Sequence, residues 1–408
     1  MARTVHITLD EMAHGGDAVG RHEGQVVFVP LALPGETARV ELVEQRKGYA
    51  RGALVSIEAA SPQRVAPPCP YFGRCGGCQW QHAAYPAQLA FKEQIVRSQL
   101  VRIGGQQSPL VRPMLGMGEP WRYRNHVQLR IDREGRVGYY ALKSHDVTPV
   151  DDCPIAHPLL ASMWDLIASC RARASRISLR AGVHTGERLA IIAGLDETPP
   201  ALERPLPYSC LYMAPSGAAH LLCGADHLHE RLLGRRFRIS ADAFFQNNTP
   251  QAEAMIEVLR GYLQLRPGDT LLDAYCGGGA LGLSLAGEGV ALLGIEAWPP
   301  SVEDAQHNAQ GQATIWQGDV ADVLAAQRPQ VDAIVLDPPR AGCTPEALAA
   351  LAATGAGRIA YVSCDPATLA RDIGRLGALG YALREVQPVD MFPQTYHIEA
   401  VAWLERER

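Results

Sequence analysis

One cysteine stands where thiol chemistry could be done. Cys364 lies in Ser363-Cys364-Asp365-Pro366, after the β-prone run Ile359-Ala360-Tyr361-Val362, with Asp337-Pro338-Pro339-Arg340 upstream and His397-Ile398-Glu399 downstream. A thiolate that attacks carbon needs a polar, partly exposed place at an element end, with a base in reach. This pattern offers both, with Glu399 as the carboxylate, and equally fits a buried structural thiol. A second set is Cys69, Cys75 and Cys78, spaced C-x5-C-x2-C, with Gly76-Gly77 letting the loop fold tightly round a ligand. A fourth thiolate is needed, and Cys153 in Val150-Asp151-Asp152-Cys153-Pro154 is the best candidate. Iron-sulfur and zinc both suit four thiolates. Cys170, Cys210, Cys223 and Cys343 sit singly among apolar or loop residues and read as inert.

The cofactor signal is a glycine turn. Asp273-Ala274-Tyr275-Cys276-Gly277-Gly278-Gly279-Ala280 follows a strand pattern and opens a helical one, where open α/β sheets bind ligands at strand carboxyl ends. Glu296 ends the next strand, about 20 residues on, where a carboxylate can accept from ribose hydroxyls. The glycines lack the G-x-G-x-x-G spacing that cradles a pyrophosphate, so S-adenosylmethionine suits the turn better than a dinucleotide. Asp319 and Asp337, after the third and fourth strand patterns, extend the row of acids. Asp-Pro-Pro followed by an aromatic residue resembles the motif of amine methyltransferases; Arg340 stands in the aromatic place, which disfavours an amine and leaves carbon as the expected target.

These residues need elements to hold them. Short alternating segments at 5–9, 25–29, 38–42 and 51–55, with Gly and Pro turns between, predict a small β-barrel. The proline-rich stretch 61–68 reads as a linker. Leu89, Val96, Leu100 and Ile103 recur at helical spacing behind Pro86. From Thr249, which can cap a helix carrying Pro250 at its first position, β and α patterns alternate to the strand-like 400–404 and predict a parallel sheet covered by helices on both faces. Residues 120–240 alternate strand-like runs with turns and resist parsing.

Length and composition exclude several classes. A chain of 408 residues with 47% hydrophobic and 20% charged residues is a folded protein of two or three domains. No apolar run is long enough to span a bilayer, and the start Met1-Ala2-Arg3-Thr4-Val5-His6 lacks the core of a signal peptide, so a cytoplasmic location is expected. Net charge is -5, yet residues 61–260 carry 23 Lys and Arg against 17 Asp and Glu. Nearly all the cations are arginine, which forks onto phosphates and stacks on bases.

Taken together, Phe244-Phe245-Gln246-Asn247-Asn248, Asp273 to Gly277, Asp337-Pro338-Pro339-Arg340, Ser363 to Pro366 and Asp390-Met391-Phe392-Pro393-Gln394-Thr395-Tyr396-His397-Ile398-Glu399 resemble the RNA 5-methyluridine methyltransferases. The turn-rich stretches 15–21 and 28–36 resemble the TRAM domain, an OB-like RNA-binding barrel. The resemblance implies an α/β Rossmann-like S-adenosylmethionine methyltransferase domain with a mostly parallel sheet (241–408), an OB-like barrel (1–60) and a central α+β iron-sulfur domain (61–240). It implies Cys364 as nucleophile and Glu399 as base, with cofactor contacts from Gln246, Tyr275, Glu296, Asp319 and Asp337. Ala280 stands where some members carry a polar contact residue, and that contact is not carried over. Cys153 matches the position that completes a 4Fe-4S cluster with Cys69, Cys75 and Cys78 in the ribosomal-RNA branch, so 23S ribosomal RNA is the expected partner of a monomeric enzyme. Transfer-RNA methylation, cytosine-C5 methylation and a non-catalytic RNA-binding protein are the rivals.

Overall fold

The structure, a computed structural model, describes residues 3–164, 174–201 and 206–407. Cys170 lies outside them.

The first five strands, β1 (Arg3–Met12), β2 (Ala18–His22), β3 (Gln25–Val29), β4 (Thr37–Gln45) and β5 (Tyr49–Ala59), close into a barrel in the order β1-β2-β3-β5-β4. Alternation drives this closure: Val5, Ile7 and Leu9 of β1 point inward between exposed neighbours. The strand that the sequence hid is β2, because its five residues sit inside a glycine-rich stretch that reads as a turn.

After the linker, α1 (Tyr85–Arg102) starts with Pro86 in its first turn, as expected. Its buried face differs from the expected one. Gln88 and Lys92 are buried with Ile95, Val96 and Leu100, whereas Ile103 is 49% exposed. A lysine inside the apolar stripe is tolerated only with a partner, and Asp390 supplies it. The middle of the chain forms β6 (His126–Ile131), β7 (Val137–Tyr140), β8 (Val147–Pro149), the short helix α2 (Pro158–Ala161), β9 (Ala174–Ala181), β10 (Arg188–Gly194), β11 (Ser209–Met213) and β12 (Ala219–Cys223). The strands make a seven-stranded sheet ordered β12-β11-β10-β9-β6-β7-β8. Val127, Leu129, Ile177, Leu179, Ile192 and Tyr212 build an apolar core on one face. Cys210 and Cys223, read singly in sequence, are register partners across β11 and β12. The hairpin β13 (His227–Leu232) and β14 (Arg235–Ser240) follows.

The third unit begins with α3 (Thr249–Leu263). Its cap is Asn248, whose side chain accepts from Gln251 N, rather than Thr249. The Thr249 hydroxyl is otherwise engaged, donating to Glu230 at 2.8 Å and accepting from Asn125 at 3.0 Å. Then come β15 (Thr270–Ala274), α4 (Ala280–Leu285), β16 (Ala291–Glu296), α5 (Pro299–Ala309), β17 (Ala313–Gln317), α6 (Val320–Gln327), β18 (Ala333–Leu336), α7 (Pro345–Ala353), β19 (Arg358–Ser363), α8 (Pro366–Ala378), β20 (Tyr381–Val389) and β21 (Glu399–Arg406). The sheet order is β17-β16-β15-β18-β19-β21-β20. Strands β15 to β19 are parallel, but β21 lies antiparallel between β19 and β20, a departure from an all-parallel sheet. The edge strand β20 escaped the sequence reading because it carries Arg384, Glu385 and Pro388, residues that suit an edge.

Helices α3 to α5 cover one face and α6 to α8 the other. The second face shares a continuous apolar core with α1 and the barrel, from Val5 and Ile7 through Trp80 and Val96 to Ile359 and Tyr361. The chain order reverses between β15 and β18, so a crevice opens at the carboxyl ends of the central strands.

Candidate active site

Every acid of the cofactor reading stands in or beside that crevice. Asp273, at the end of β15, is buried, and its Oδ2 accepts from Gly282 N at 2.7 Å. A Cβ on Gly282 would lie 2.6 Å from that oxygen, so only glycine lets the start of α4 approach the strand end this closely. Tyr275 turns the chain with φ +65°, a conformation that a non-glycine residue adopts only under constraint. Glu296 accepts from Gly277 N at 2.9 Å and Trp298 N at 2.7 Å, so it ties the glycine turn to the end of β16. Asp319 caps α6, with Oδ1 accepting from Ala321 N at 2.8 Å. Asp337 follows β18, and its Oδ2 accepts from Gln246 Nε2 at 3.2 Å. Gln246 is anchored in turn by Asn125, whose amide donates to the Gln246 carbonyl at 3.0 Å. Burial, then Cys343 and Asp319, push the Tyr275 phenol above its ordinary range, so that ring belongs to the same neighbourhood.

Strand pairing brings Cys364 and Glu399 together. Ser363 of β19 is opposite Ala400 of β21. One step further along this antiparallel register, Cys364 falls beside Glu399, although 35 positions separate them in sequence. Cys364 is partly buried and follows the strand at the start of α8, whose cap is Asp365. Burial pushes its thiol up to about 12, with Glu399 and Asp337 adding to the effect and Arg340 opposing it. Glu399 is 4% exposed; burial, and then Asp337, hold its carboxyl well above the ordinary range. Burial raises Asp337 to about 7, against the Gln246 amide. Two carboxyls and one thiol thus share a dry site in which each disfavours charge on the others.

The sequence reading missed residues that frame this site. Asp273 was part of a quoted motif but not singled out; its Oδ1 is buried without a hydrogen-bond partner, and burial, with Asp337 and Glu296 adding, raises the carboxyl to about 8. The segment leading to Glu399 is clamped from α1 and the cysteine loop. Lys92 Nζ donates to Asp390 at 2.5 Å, and the Tyr85 hydroxyl donates to the same carboxylate at 2.8 Å. Gln88 donates to Gln394 Oε1 at 2.9 Å and accepts from Gln394 N at 3.0 Å, while Gln79 N and Trp80 N donate to the Gln394 carbonyl. From the barrel, His14 Nε2 lies 3.7 Å from Asp365, and Arg340 Nε lies 3.6 Å from the same carboxylate. A lysine at a core position of a helical stripe was the signal for Lys92. Nothing local signals His14.

The four cysteines border one cavity of about 1350 Å³, which runs along the polar face of the central sheet past Arg176 and Arg180 to the exposed Phe244. Cys75 and Cys78 are pushed up to about 11 and about 12, by burial and then in part by the neighbouring thiols, including Cys69 and Cys153. Burial likewise raises Cys153. The buried Tyr139 hydroxyl lies against the Cys153 thiol. Among the described residues, no three or more His, Cys, Asp or Glu side chains converge as the shell of a single metal ion. None of the described helices is long and apolar enough to cross a membrane.

Comparison with known proteins agrees with this architecture. Residues 215–316 and 322–407 match the tRNA (uracil-5-)-methyltransferase family, and residues 2–55 match the TRAM domain. An uncharacterised RNA methyltransferase of Gloeobacter violaceus is 38% identical, covering 99% of this chain and 97% of its own. Another, of Streptomyces avermitilis, is 37% identical, covering 99% of each. The crystal structure of Pyrococcus abyssi tRNA (uracil-54, C5)-methyltransferase, in complex with S-adenosyl-L-homocysteine, superposes with a TM-score of 0.78 at 26% identity, over 98% of this chain and all of that one. Fold and site define an S-adenosylmethionine-dependent methyltransferase with an N-terminal TRAM-type barrel. The chain belongs to the RNA uracil-C5 methyltransferase family.

Proposed function

We propose that this enzyme forms 5-methyluridine in 23S ribosomal RNA through a temporary bond between Cys364 and C6 of the target uracil. The observation that carries the reading is the β19–β21 register, which sets a thiol beside a buried carboxylate next to the row of acids at the strand ends. Uracil C5 is too weak a nucleophile to accept a methyl group unaided. Addition of the Cys364 sulfur to C6 moves the C5–C6 electron pair toward C5 and O4, and C5 then takes the methyl group. Glu399 removes the C5 proton, the electron pair reforms the double bond, and the sulfur leaves C6. S-adenosylmethionine supplies the methyl group on a sulfonium. Gln246, Tyr275, Glu296, Asp319 and Asp337 would bind and orient it. A dry site favours Glu399 as a base because burial raises its carboxyl toward the proton it must take.

The division into 1–60, 61–240 and 241–408 is part of this proposal, as are a monomeric state and a cytoplasmic location. So is a 4Fe-4S cluster held by Cys69, Cys75, Cys78 and Cys153. The residues fit such a group: four free thiols border one cavity, and the Cys75 and Cys78 thiols are held up by burial and by the thiols beside them, a crowding that a bound cation would relieve. The cluster would tie the loop of residues 69–78 to Cys153 and thereby brace the Gln79–Gln394 contact; no step above moves an electron.

The test is incubation with unmodified ribosomal RNA and methyl-labelled cofactor, followed by nucleoside analysis. Label in 5-methyluridine supports the reading, whereas label in 5-methylcytidine or no label sinks it. Label acquired only by transfer RNA would overturn the ribosomal assignment. Stoichiometric iron and acid-labile sulfide from an anaerobic preparation, absent in Cys78→Ser, supports the cluster; zinc in their place contradicts it.

A further inference from the structure

A second cavity, of about 510 Å³, opens where the barrel, the cysteine loop and the central sheet meet. None of the roles above uses it, and its size falls among small-ligand sites of about 300–1,000 Å³. The Gly15–Gly16 turn of the barrel forms one wall, Gly76–Gly77 of the cysteine loop another, and the β7–β8 hairpin a third. Tyr396, three residues before Glu399, closes it on the side of the active site.

Its chemistry is flat and cationic. The Arg130 guanidinium carbon lies 4.9 Å from the centroid of the Tyr140 ring, and the two form a stacked platform. Arg130 and Lys143 are the basic lining residues, and Asp17 is the acidic one. Asp17 is already held by Arg51 Nη1 at 3.2 Å and Lys143 Nζ at 3.6 Å, so the cavity keeps an excess of positive charge. A planar platform beside a net positive charge is how proteins grip single-stranded nucleic acid, with a base on the flat surface and a phosphate on the cations.

The position of the cavity says which nucleotide. The barrel turn of residues 13–17 separates it from Cys364: Gly16 packs so tightly on Tyr396 that a Cβ there would lie 2.8 Å from the tyrosine's own Cβ, and Trp80 Nε1 donates to the Gly16 carbonyl at 3.0 Å. Two residues earlier in the same turn, His14 reaches Asp365, the neighbour of Cys364. One clamped turn therefore faces the second cavity on one side and the nucleophile on the other. We propose that this cavity is a subsite for an unpaired nucleotide flanking the target uridine in the same RNA strand. The proposal rests on the uridine-C5 reading above, and it makes the barrel and the cysteine loop joint readers of the sequence beside the target.

The experiment uses the full chain with S-adenosylhomocysteine and nonaribonucleotides carrying one central uridine. In these, 2-aminopurine or an abasic residue replaces each flanking position in turn. At one flank, 2-aminopurine fluorescence should be quenched on binding, and an abasic residue at that position should weaken binding by about 10-fold, the scale of one base–aromatic stack. Tyr140→Leu should remove the quench and weaken the intact RNA by a similar factor, with no further loss from the abasic residue. Arg130→Gln, a second variant in case the first folds poorly, should behave alike, and unchanged S-adenosylhomocysteine affinity certifies both folds. Wild-type binding indifferent to every flank, or an abasic penalty that persists in full in both variants, overturns the subsite. Methylation of the central uridine by the wild type, measured in the same samples, keeps the two readings apart. Product without flank dependence removes the subsite alone, whereas flank dependence without product supports the subsite and counts against uridine-C5 chemistry.

Discussion

Asp390 and Glu399 stand nine residues apart, both buried, at 0% and 4% exposure, and they live under opposite electrostatics. Asp390 receives the Lys92 ammonium at 2.5 Å and the Tyr85 hydroxyl at 2.8 Å. Glu399 has another carboxyl, Asp337, as its charged neighbour, and a thiol beside that. A buried acid with a cation and a hydroxyl is fixed in place, and it serves as a fastener between α1 and the final loop. A buried acid facing another acid holds its proton more tightly than an ordinary carboxyl does, so once ionised it is a stronger base. The same chemical group is scaffold at one end of a short segment and a candidate reagent at the other, and only its neighbours differ.

That contrast can be broken most directly at the nucleophile. Cys364→Ala should lower turnover by at least about 10⁴-fold, as loss of a nucleophile does elsewhere. Its S-adenosylhomocysteine affinity by calorimetry should be unchanged, and appreciable residual turnover would remove the covalent route. Glu399→Gln keeps the shape and removes the base, so turnover should fall by about 10²–10⁴-fold. An RNA–protein adduct should then survive denaturing electrophoresis, and a variant that turns over normally would strip Glu399 of its role. At the fastener the effect moves from rate to stability. Lys92→Met leaves the Asp390 charge buried and unpaired and should cost about 3–5 kcal/mol in urea unfolding. Lys92→Met combined with Asp390→Leu should regain most of it, and a Lys92→Met protein as stable as wild type would erase the distinction between the two acids.

The smallest expected effect is in pH. Asp337 holds its proton to about 7 in the native site, against 3.8 for the ordinary side chain. Between those values the unfolded chain has released a proton that the native chain keeps. The stability that this group contributes is therefore full below 3.8 and is lost as pH rises through about 7. Without cofactor, wild type should lose stability over this interval relative to Asp337→Asn, as read by thermal unfolding at a series of pH values; parallel curves would show that the carboxyl is not raised. kcat/KM should also rise with pH, because Glu399 must be ionised to take a proton, and its carboxyl lies well above the ordinary range.

Much of the molecule was legible before any coordinates. The alternation of Val5, Ile7 and Leu9 is a local pattern, and so is the glycine turn after Asp273; the barrel and the strand-end crevice followed from them. Periodicity is silent where residues act across long gaps. Strand β21 inserts antiparallel beside β19, a placement that no periodicity announces, yet it is this pairing that puts Glu399 next to Cys364. Lys92 lies on a helical face that should be apolar, and its reason stands 298 residues away. The four cysteines could be grouped by spacing and resemblance, whereas the buried Tyr139 hydroxyl beside Cys153 appears only after β7 is in its sheet.

The amino-acid sequence by itself determined which residues carry chemistry and which short elements present them, because residue type and hydrophobic period are properties of neighbours along the chain. The tertiary structure alone decided which acid keeps a cation and which meets another acid, and where a barrel turn comes to stand beside the nucleophile. Those outcomes depend on distance and dielectric between groups far apart in the chain, and burial sets both.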